Sequence, residues 1–371
     1  MKKRLLAAVL LTAISLSACG KSTGNALEEI ITSSEKVLGE SISDIAASND
    51  TEVVPEEPEK DISEDEPVVS DVFEFNPHVF SDRDVIVWGE DARDAFFNMV
   101  DAMRNGEDTF ECASEEAYNI ATGGRLIDYY FPVADILVND DYYENCSFEN
   151  GVGVIPYLDK KEEFLEKEKE FEKMVTDILN ENVKTSYSEF EIALSLYVYI
   201  SRNYTYDFDM RDAMYTTRGD EIATYRAFAE RQGICQELSG VYNYLLLQCG
   251  VESDVITGPD HQWNFVNIRG KDYHIDPTFG LAIAGVCDNR TPLDYFMMTD
   301  EDREYYGGFP IDEFGICGLG DESRDKFEFH ATDESFSPFR FAYFVEMDAD
   351  KNIVTYIDFA TEDTREFQYV D

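Results

Sequence analysis

Residues 261–279, "HQWNFVNIRGKDYHIDPTF", restrict the fold of this chain more than any other segment. The alternating side chains on both sides of "RGKD" predict two antiparallel strands joined by a tight turn. If the loop is Arg269–Gly270, the pairing places His261 and Asp276 on one face of the hairpin, one diagonal step apart. A three-residue loop would put them on opposite faces. His274 satisfies the same rule, so spacing alone leaves two candidate histidines.

A second segment, "GICQELSGVYNYLLLQCG", places a cysteine at the start of a helix. The apolar residues after Cys235 recur at helical spacing, and a glycine follows the last of them. The unpaired backbone N–H groups and the positive dipole end at a helix start favour a thiolate. Gly233 allows the chain to turn sharply just before it. We therefore predict that Cys235 is a nucleophile, with His261 or His274 as its base and Asp276 orienting that base.

The alternative is that Cys235 forms a structural disulfide with Cys249 or Cys287. Cys249 lies on the same predicted helix, and a separation of ~21 Å at 1.5 Å per residue is too long for a disulfide. Disulfide pairing among the remaining cysteines stays open, and these are Cys112, Cys146, Cys249, Cys287 and Cys317. No CxxC pair occurs, and the turn at residues 348–352 lacks the glycine and glutamate of a calcium loop. We predict neither a metal site nor a cofactor.

The segments before the cysteine have clear local patterns. A helix-periodic run, "KKEEFLEKEKEFEKMVTDILNE", precedes a capping box at Ser188–Glu191, which predicts two consecutive helices. The Asn150–Gly151 pair predicts a tight turn between two strands.

These segments resemble the transglutaminase-like superfamily, a group of papain-related enzymes that use Cys, His and Asp in that chain order. The cysteine motif of the family falls on Cys235, its His-x-Trp-Asn motif on His261, and its Asp-Pro-Thr motif on Asp276. The resemblance covers about residues 190–300 and favours His261 over His274. It implies an α+β core in which the helix bearing the cysteine packs on an antiparallel sheet bearing the histidine and aspartate.

The resemblance also implies acyl transfer through a thioester, with water or an amine as the acceptor. Similarity to bacterial members favours hydrolysis of protein or cell-wall peptide amides over cross-linking. Trp263 and Tyr206 are candidates for the second oxyanion donor, although Trp263 could instead shield the site from water or pack in the core. The alternative function is a catalytically inactive surface-binding or adhesion module on the same fold.

The N-terminal residues predict export and lipid anchoring. The basic "MKKR", a short apolar run and "SACG" have the layout of a secretory signal. The stretch "LSAC" resembles the lipobox of bacterial lipoproteins, which implies that Cys19 is acylated and holds the protein at the extracellular face of the cell membrane. The alternative is an ordinary signal that is cleaved after Ala18.

Composition divides the chain into five predicted parts. Residues 1–18 are the lipoprotein signal peptide, and residues 19–72, rich in Asp, Glu and Pro, form a disordered acidic tether. Residues 73–185 form an N-terminal α+β region, and residues 186–330 form the catalytic core. Residues 331–371 form a C-terminal β-hairpin that completes the core sheet. The net charge of −48 disfavours binding to nucleic acid.

Overall fold

A computed structural model describes residues 72–137, 147–157, 161–216, 221–258, 261–284, 287–307, 315–316, 326–327 and 329–370. The predicted signal peptide, the tether up to residue 71, and the cysteines Cys19, Cys146 and Cys317 lie outside these residues. The described residues form a mixed α+β fold of helices and antiparallel sheets, as predicted. None of the helices that these ranges contain combines the length and the apolar character needed to cross a bilayer.

The helices of the described residues, in chain order, are α1 (Asp82–Trp88), α2 (Glu90–Arg104), α3 (Glu115–Ala121), α4 (Gly124–Tyr130), α5 (Lys161–Asn182), α6 (Glu189–Asn203), α7 (Phe208–Ala213), α8 (Thr224–Glu230), α9 (Cys235–Gln248) and α10 (Asp300–Gly307). The strands are β1 (Thr109–Glu111), β2 (Phe148–Glu149), β3 (Val152–Val154), β4 (Thr205–Tyr206), β5 (Gln232–Gly233), β6 (Ser253–Thr257), β7 (Gln262–Ile268), β8 (Lys271–Ile275), β9 (Gly315–Ile316), β10 (Ala342–Asp348), β11 (Ile353–Asp358) and β12 (Thr364–Gln368).

The N-terminal region combines helices with a small antiparallel sheet of strand order β1–β3–β2. The predicted turn between β2 and β3 is confirmed, and both Asn150 and Gly151 have the positive φ that a two-residue hairpin turn requires. One face of α2 buries Phe96, Met99 and Met103. These side chains belong to the same hydrophobic cluster as the helices that follow, so the region shares one core with the rest of the fold.

The two helices predicted before the cysteine segment are confirmed. Helix α5 buries Phe164, Phe171 and Val175 along one face. Helix α6 begins with a reciprocal capping box: the hydroxyl of Ser188 accepts the N–H of Glu191, and the carboxylate of Glu191 accepts the N–H of Ser188 at 2.8 Å. Two N–H groups at the helix start are satisfied in this way, which fixes where α6 begins.

The central sheet is antiparallel, with strand order β8–β7–β6–β9. Strands β7 and β8 form the predicted hairpin, and Ile268 pairs directly with Lys271. The two residues between them, Arg269 and Gly270, both have positive φ, of 54° and 76°. The two-residue loop is therefore confirmed, and β7 and β8 pair in the register that this loop predicts.

Helix α9 is buried in the centre of the fold, where it contacts β6 and β7 as well as α4, α6 and α8. All its residues except Gln236 are buried. Two hydrogen bonds tie it to β7: Asn264 Nδ2 donates to the carbonyl of Ser239 at 3.1 Å, and Ser239 Oγ donates to the carbonyl of Gln262 at 3.0 Å. Because Ser239 lies one turn from the helix start, these bonds fix that end of α9 against the first residue of β7.

The C-terminal strands correct the prediction of a hairpin that completes the central sheet. Strands β10, β11 and β12 form a separate three-stranded antiparallel sheet. The outer edge of β8 is occupied by a loop: His274 and Met298 exchange backbone hydrogen bonds of 3.0 and 2.8 Å, and the carbonyl of Tyr295 accepts the N–H of Asp276 at 2.9 Å. These contacts take the place of a further strand. Residues 348–352 form the turn between β10 and β11, as predicted.

Candidate active site

Cys235 is the first residue of α9, and the segment before it holds the helix start in place. Strand β5 pairs in parallel with β4, which places Tyr206 beside Gly233. A Cβ at Gly233 would lie 3.0 Å from Cβ of Glu237 and 3.2 Å from Cβ of Ala227. This close approach, rather than a special backbone angle, is why a glycine stands there. Cys235 itself is 8% exposed.

A buried ion network surrounds the first turn of α9. The fully buried carboxylate of Glu237 accepts the backbone N–H of Ile234 at 2.9 Å. The guanidinium of Arg226 binds both oxygens of Glu237, at 2.8 and 2.5 Å, and reaches Asp207 at 2.9 Å. The two-pronged contact is strong and directional, so it fixes the turn that leads into Cys235. The sequence offers no Ser or Thr cap at this position, and for that reason its pattern did not reveal Glu237.

His261 and Asp276 lie where the hairpin register predicts. The Nε2 atom of His261 is 2.7 Å from Oδ2 of Asp276, and both side chains are buried. The His261 side chain also makes a hydrogen bond with Cys235. The structure therefore brings Cys235, His261 and Asp276 into one contact chain.

The electrostatics of this chain favour an imidazolium between two anions. Burial opposes the charged form of His261, but the negative charges of Asp276 and of the Cys235 sulfur outweigh it and raise the pKa of His261 to about 9. Burial also opposes ionisation of Asp276. The contact with His261 and the charge of Arg303 nevertheless hold the pKa of that carboxyl below its ordinary value.

Both oxygens of Asp276 have further hydrogen-bond donors. The backbone N–H groups of Thr278 and Phe279 donate to Oδ1, each at 3.0 Å. The guanidinium of Arg303, on α10, donates to Oδ2 at 2.8 Å, and this arginine is fully buried. Sequence reasoning missed Arg303, because one base within "TDEDREYY" is typical of a solvated helix face. Its burial results from the packing of α10.

The second candidate base, His274, has different partners. Its Nδ1 accepts the indole N–H of Trp263 at 3.0 Å, and its Nε2 donates to Asp300 at 2.9 Å. Asp300 also contacts His330 at 2.9 Å. Burial lowers the pKa of His274 more than the contact with Asp300 raises it, and the charge of Arg303 lowers it further. His274 is thus held as a neutral residue of the core.

Trp263 is fully buried, and its ring lies nearly parallel to that of His261, with centroids 6.0 Å apart and an interplanar angle of 16°. This position fits the predicted shielding of the site from water. Its indole N–H points at His274, so the expectation that Trp263 supplies an oxyanion donor is corrected. A hydrogen that is already donated to a buried acceptor is not directed at a substrate.

Tyr206, the other predicted oxyanion donor, lies on β4 beside the residue two positions before Cys235. It is partly exposed, and its ring packs edge-on against Phe208 with centroids 4.9 Å apart. Phe208 is 40% exposed. The pair forms an aromatic surface next to the start of α9, and a role of Tyr206 toward substrate stays a prediction.

The cysteines of the described residues are thiols, and these are Cys112, Cys235, Cys249 and Cys287. The alternative of a structural disulfide at Cys235 is therefore wrong. Burial raises the pKa of Cys249 to about 12 and also raises the pKa of Cys287 above its ordinary value. Neither of these two thiols shares the carboxylate-backed imidazole that Cys235 has. Within the described ranges, no group of three or more His, Cys, Asp or Glu residues is arranged to hold a metal ion.

A helix-borne thiol that contacts an imidazole and a carboxylate on a sheet defines a thiol–imidazole–carboxylate site on an α+β fold. Residues 174–281 match the family model described as the transglutaminase-like superfamily, so the chain carries a transglutaminase-like domain, as its motifs predicted. The matched range contains Cys235, His261 and Asp276 and ends before Arg303. A comparison with curated proteins found no significant match.

Proposed function

We propose that the chain is a cysteine enzyme of the transglutaminase-like class, which acts on protein or peptide amides through a thioester. The observation that carries the proposal is the double contact of one buried imidazole. His261 meets Asp276 at 2.7 Å through Nε2 and also makes a hydrogen bond with Cys235. Nucleophilic catalysis needs these three roles: a nucleophile, a base in contact with it, and a group that orients the base.

In the proposed reaction, the Cys235 thiolate attacks the amide carbonyl carbon, a C–S bond forms, and an electron pair moves onto the carbonyl oxygen. The imidazolium of His261 then gives its proton to the amine nitrogen, the C–N bond breaks, and a thioester remains. Water attacks the thioester, His261 takes a proton from it, and the C–S bond breaks to release the acid and restore the thiolate. Asp276 stays ionised and holds the ring through Nε2.

The position of Cys235 at the start of α9 supports the charged intermediates of this reaction. Backbone N–H groups and the positive end of the helix dipole stabilise both a thiolate and the oxyanion that forms next to it. The backbone N–H of Ile234 already donates to the carboxylate of Glu237 and stabilises the helix start. We therefore propose the N–H groups of the first helical turn as the donors to the oxyanion.

A peptide library incubated in ¹⁸O-labelled water, with and without a primary amine, tests the proposal. Mass spectrometry should show cleaved peptides that carry one ¹⁸O atom, and amine adducts should be the minor product. Cys235→Ala should abolish both products, whereas Cys249→Ala, which removes the thiol at the opposite end of the same helix, should leave them unchanged. Equal turnover by wild type and Cys235→Ala would contradict the proposal.

We further propose that the enzyme is exported and anchored by acylated Cys19, with protein or cell-wall peptides outside the membrane as its substrates. The support is the basic head, short apolar run and "LSAC" motif, followed by an acidic segment. Expression with labelled palmitate should label the wild-type protein in the membrane fraction, and Cys19→Ala should lose the label. Labelling that persists in Cys19→Ala would overturn the anchor.

One observation favours the second function, a binding module without catalysis: Cys235 and His261 are only 8% and 4% exposed. A substrate carbonyl must reach a sulfur that is largely covered. If the fold serves binding alone, Cys235→Ala will bind a cell-wall peptide fraction with the wild-type affinity, and neither protein will turn it over. Turnover by wild type alone would exclude this alternative.

A further inference from the structure

Two buried histidine–aspartate pairs lie on either side of one arginine. His261 contacts Asp276, and His274 contacts Asp300, at 2.7 and 2.9 Å. The guanidinium of Arg303 donates to Oδ2 of Asp276 at 2.8 Å, the same oxygen that His261 contacts. The carboxylate of Asp276 is thus held between an imidazole and a guanidinium.

The same guanidinium also contacts the aromatic rings that pack against His261. Its central carbon lies 4.4 Å from the ring centroid of Trp263 and 5.3 Å from that of Phe279. The Phe279 ring stacks on His261 with centroids 4.5 Å apart and an interplanar angle of 17°. Arg303 therefore contacts the carboxylate at the edge of His261 and lies over both rings that are nearly parallel to the imidazole.

The start of α10 fixes the direction of Arg303. Thr299 and Asp302 form a reciprocal cap: Asp302 accepts the N–H of Thr299 at 3.0 Å, and Thr299 Oγ1 accepts the N–H of Asp302 at 3.2 Å. The N–H of Asp300 donates to the carbonyl of Ala331 at 2.8 Å. These bonds anchor the first turn on the neighbouring segment, which leaves Arg303 facing the core.

We propose, as an extension of the proposed function, that Arg303 is a positioning residue: its charge and its Nη1–H hydrogen bond hold the Asp276 carboxylate, as an anion, against Nε2 of His261. A planar guanidinium that shares one oxygen with the imidazole restricts rotation of the carboxylate. A neutral side chain at this position would leave Asp276 with backbone donors on Oδ1 but no cation on Oδ2 apart from His261.

The charges of the groups near the Asp276 carboxylate determine what the loss of Arg303 would change. His261 and Arg303 contact Asp276, and Tyr197 and Tyr295 interact with its charge from further away. Burial raises the pKa of both tyrosines, which keeps them neutral. Burial lowers the pKa of Arg303, and its contact with Asp276 favours the charged form, so a neutral residue at this position removes a positive charge from the group. Loss of a positive charge raises the pKa of the acidic groups nearby. As the pH is lowered, the Cys235 thiolate should therefore be protonated at a higher pH in a variant without this charge than in wild type.

The test uses the full chain and the rate at which iodoacetamide labels Cys235 as a function of pH. In Arg303→Gln, the acid limb of this profile should move up by roughly one pH unit. Arg303→Lys keeps the charge and should stay close to wild type. Arg83→Gln is the matched control, because Arg83 is another largely buried arginine, which binds Asp254 and Asp272 at 2.9 and 2.6 Å and neither Asp276 nor the start of α10. It should lower Tm and leave the profile unchanged.

A folded Arg303→Gln with the wild-type acid limb would overturn the proposal, and so would equal shifts in Arg303→Gln and Arg303→Lys. If Arg303→Gln does not fold, hydrogen exchange of the Arg303 side chain, measured by ¹⁵N NMR, tests the contact instead. An Nη–H of Arg303 should exchange slowly in wild type and faster in Asp276→Asn. Unchanged protection would contradict the contact. The labelling assay also separates the two proposals, because a wild-type Cys235 that reacts no faster than Cys249 contradicts the proposed function itself.

Discussion

His261 and Asp276 meet at 2.7 Å, and each lies one residue outside the strand that carries it. Strand β7 begins at Gln262 and β8 ends at Ile275, so both side chains lie at the open end of the hairpin, next to the start of α9. The two-residue loop at the other end sets this register, since a slip of one residue would move one partner to the opposite face. A turn far from the site thus determines whether the site exists.

The first prediction concerns the protonation of His261. Its pKa is raised to about 9, so its NMR titration should have a midpoint well above the ordinary 6.5. The raised value means that the imidazolium persists below about 9 and is lost as the pH rises through it. Asp276→Asn and Cys235→Ala each remove a negative charge and should lower the midpoint, Asp276→Asn more strongly. Assignment by His261→Gln identifies the signal, and a midpoint near 6.5 in wild type would contradict the ion pair.

The second prediction distinguishes the two buried histidines. His261→Gln should reduce labelling of Cys235 by iodoacetamide roughly tenfold or more at pH 7, because the thiol loses its imidazolium partner. His274→Gln should keep the wild-type labelling rate and lower Tm, since His274 contacts Trp263 and Asp300 and not the sulfur. Reversed effects of the two variants would show that the base has been assigned to the wrong histidine.

The third prediction concerns the ion network under the helix start. Glu237→Gln breaks a buried two-pronged contact with Arg226 and should lower the free energy of unfolding by about 3 kcal/mol, measured by urea denaturation. The exposed pair of Lys173 and Asp177 provides the control, and Asp177→Asn should cost less than about 0.5 kcal/mol. Equal small losses in both variants would mean that Glu237 does not hold the turn before Cys235.

Much of the site could be read from the sequence because its information is local. The alternation around Arg269–Gly270 specifies a register, and the apolar spacing after Cys235 specifies a buried helix. Arg303 could not be found in this way, since its partner Asp276 comes from a different element and only packing turns the arginine inward. The same limit explains the C-terminal strands: a loop at Met298 occupies one edge of the central sheet, and the strands that were predicted to complete that sheet form a separate one.

The most direct test of the central claim is the rate of iodoacetamide labelling at each cysteine of the native chain, resolved by peptide mass spectrometry between pH 5 and 9. We predict that Cys235 reacts fastest, already near pH 6 and despite its low exposure, and that Cys249, whose pKa is raised to about 12 by burial, is nearly unreactive across this range. If Cys235 is labelled no faster than Cys249, or only above the pH at which an ordinary thiol ionises, the thiolate–imidazolium pair does not exist and the enzymatic proposal fails.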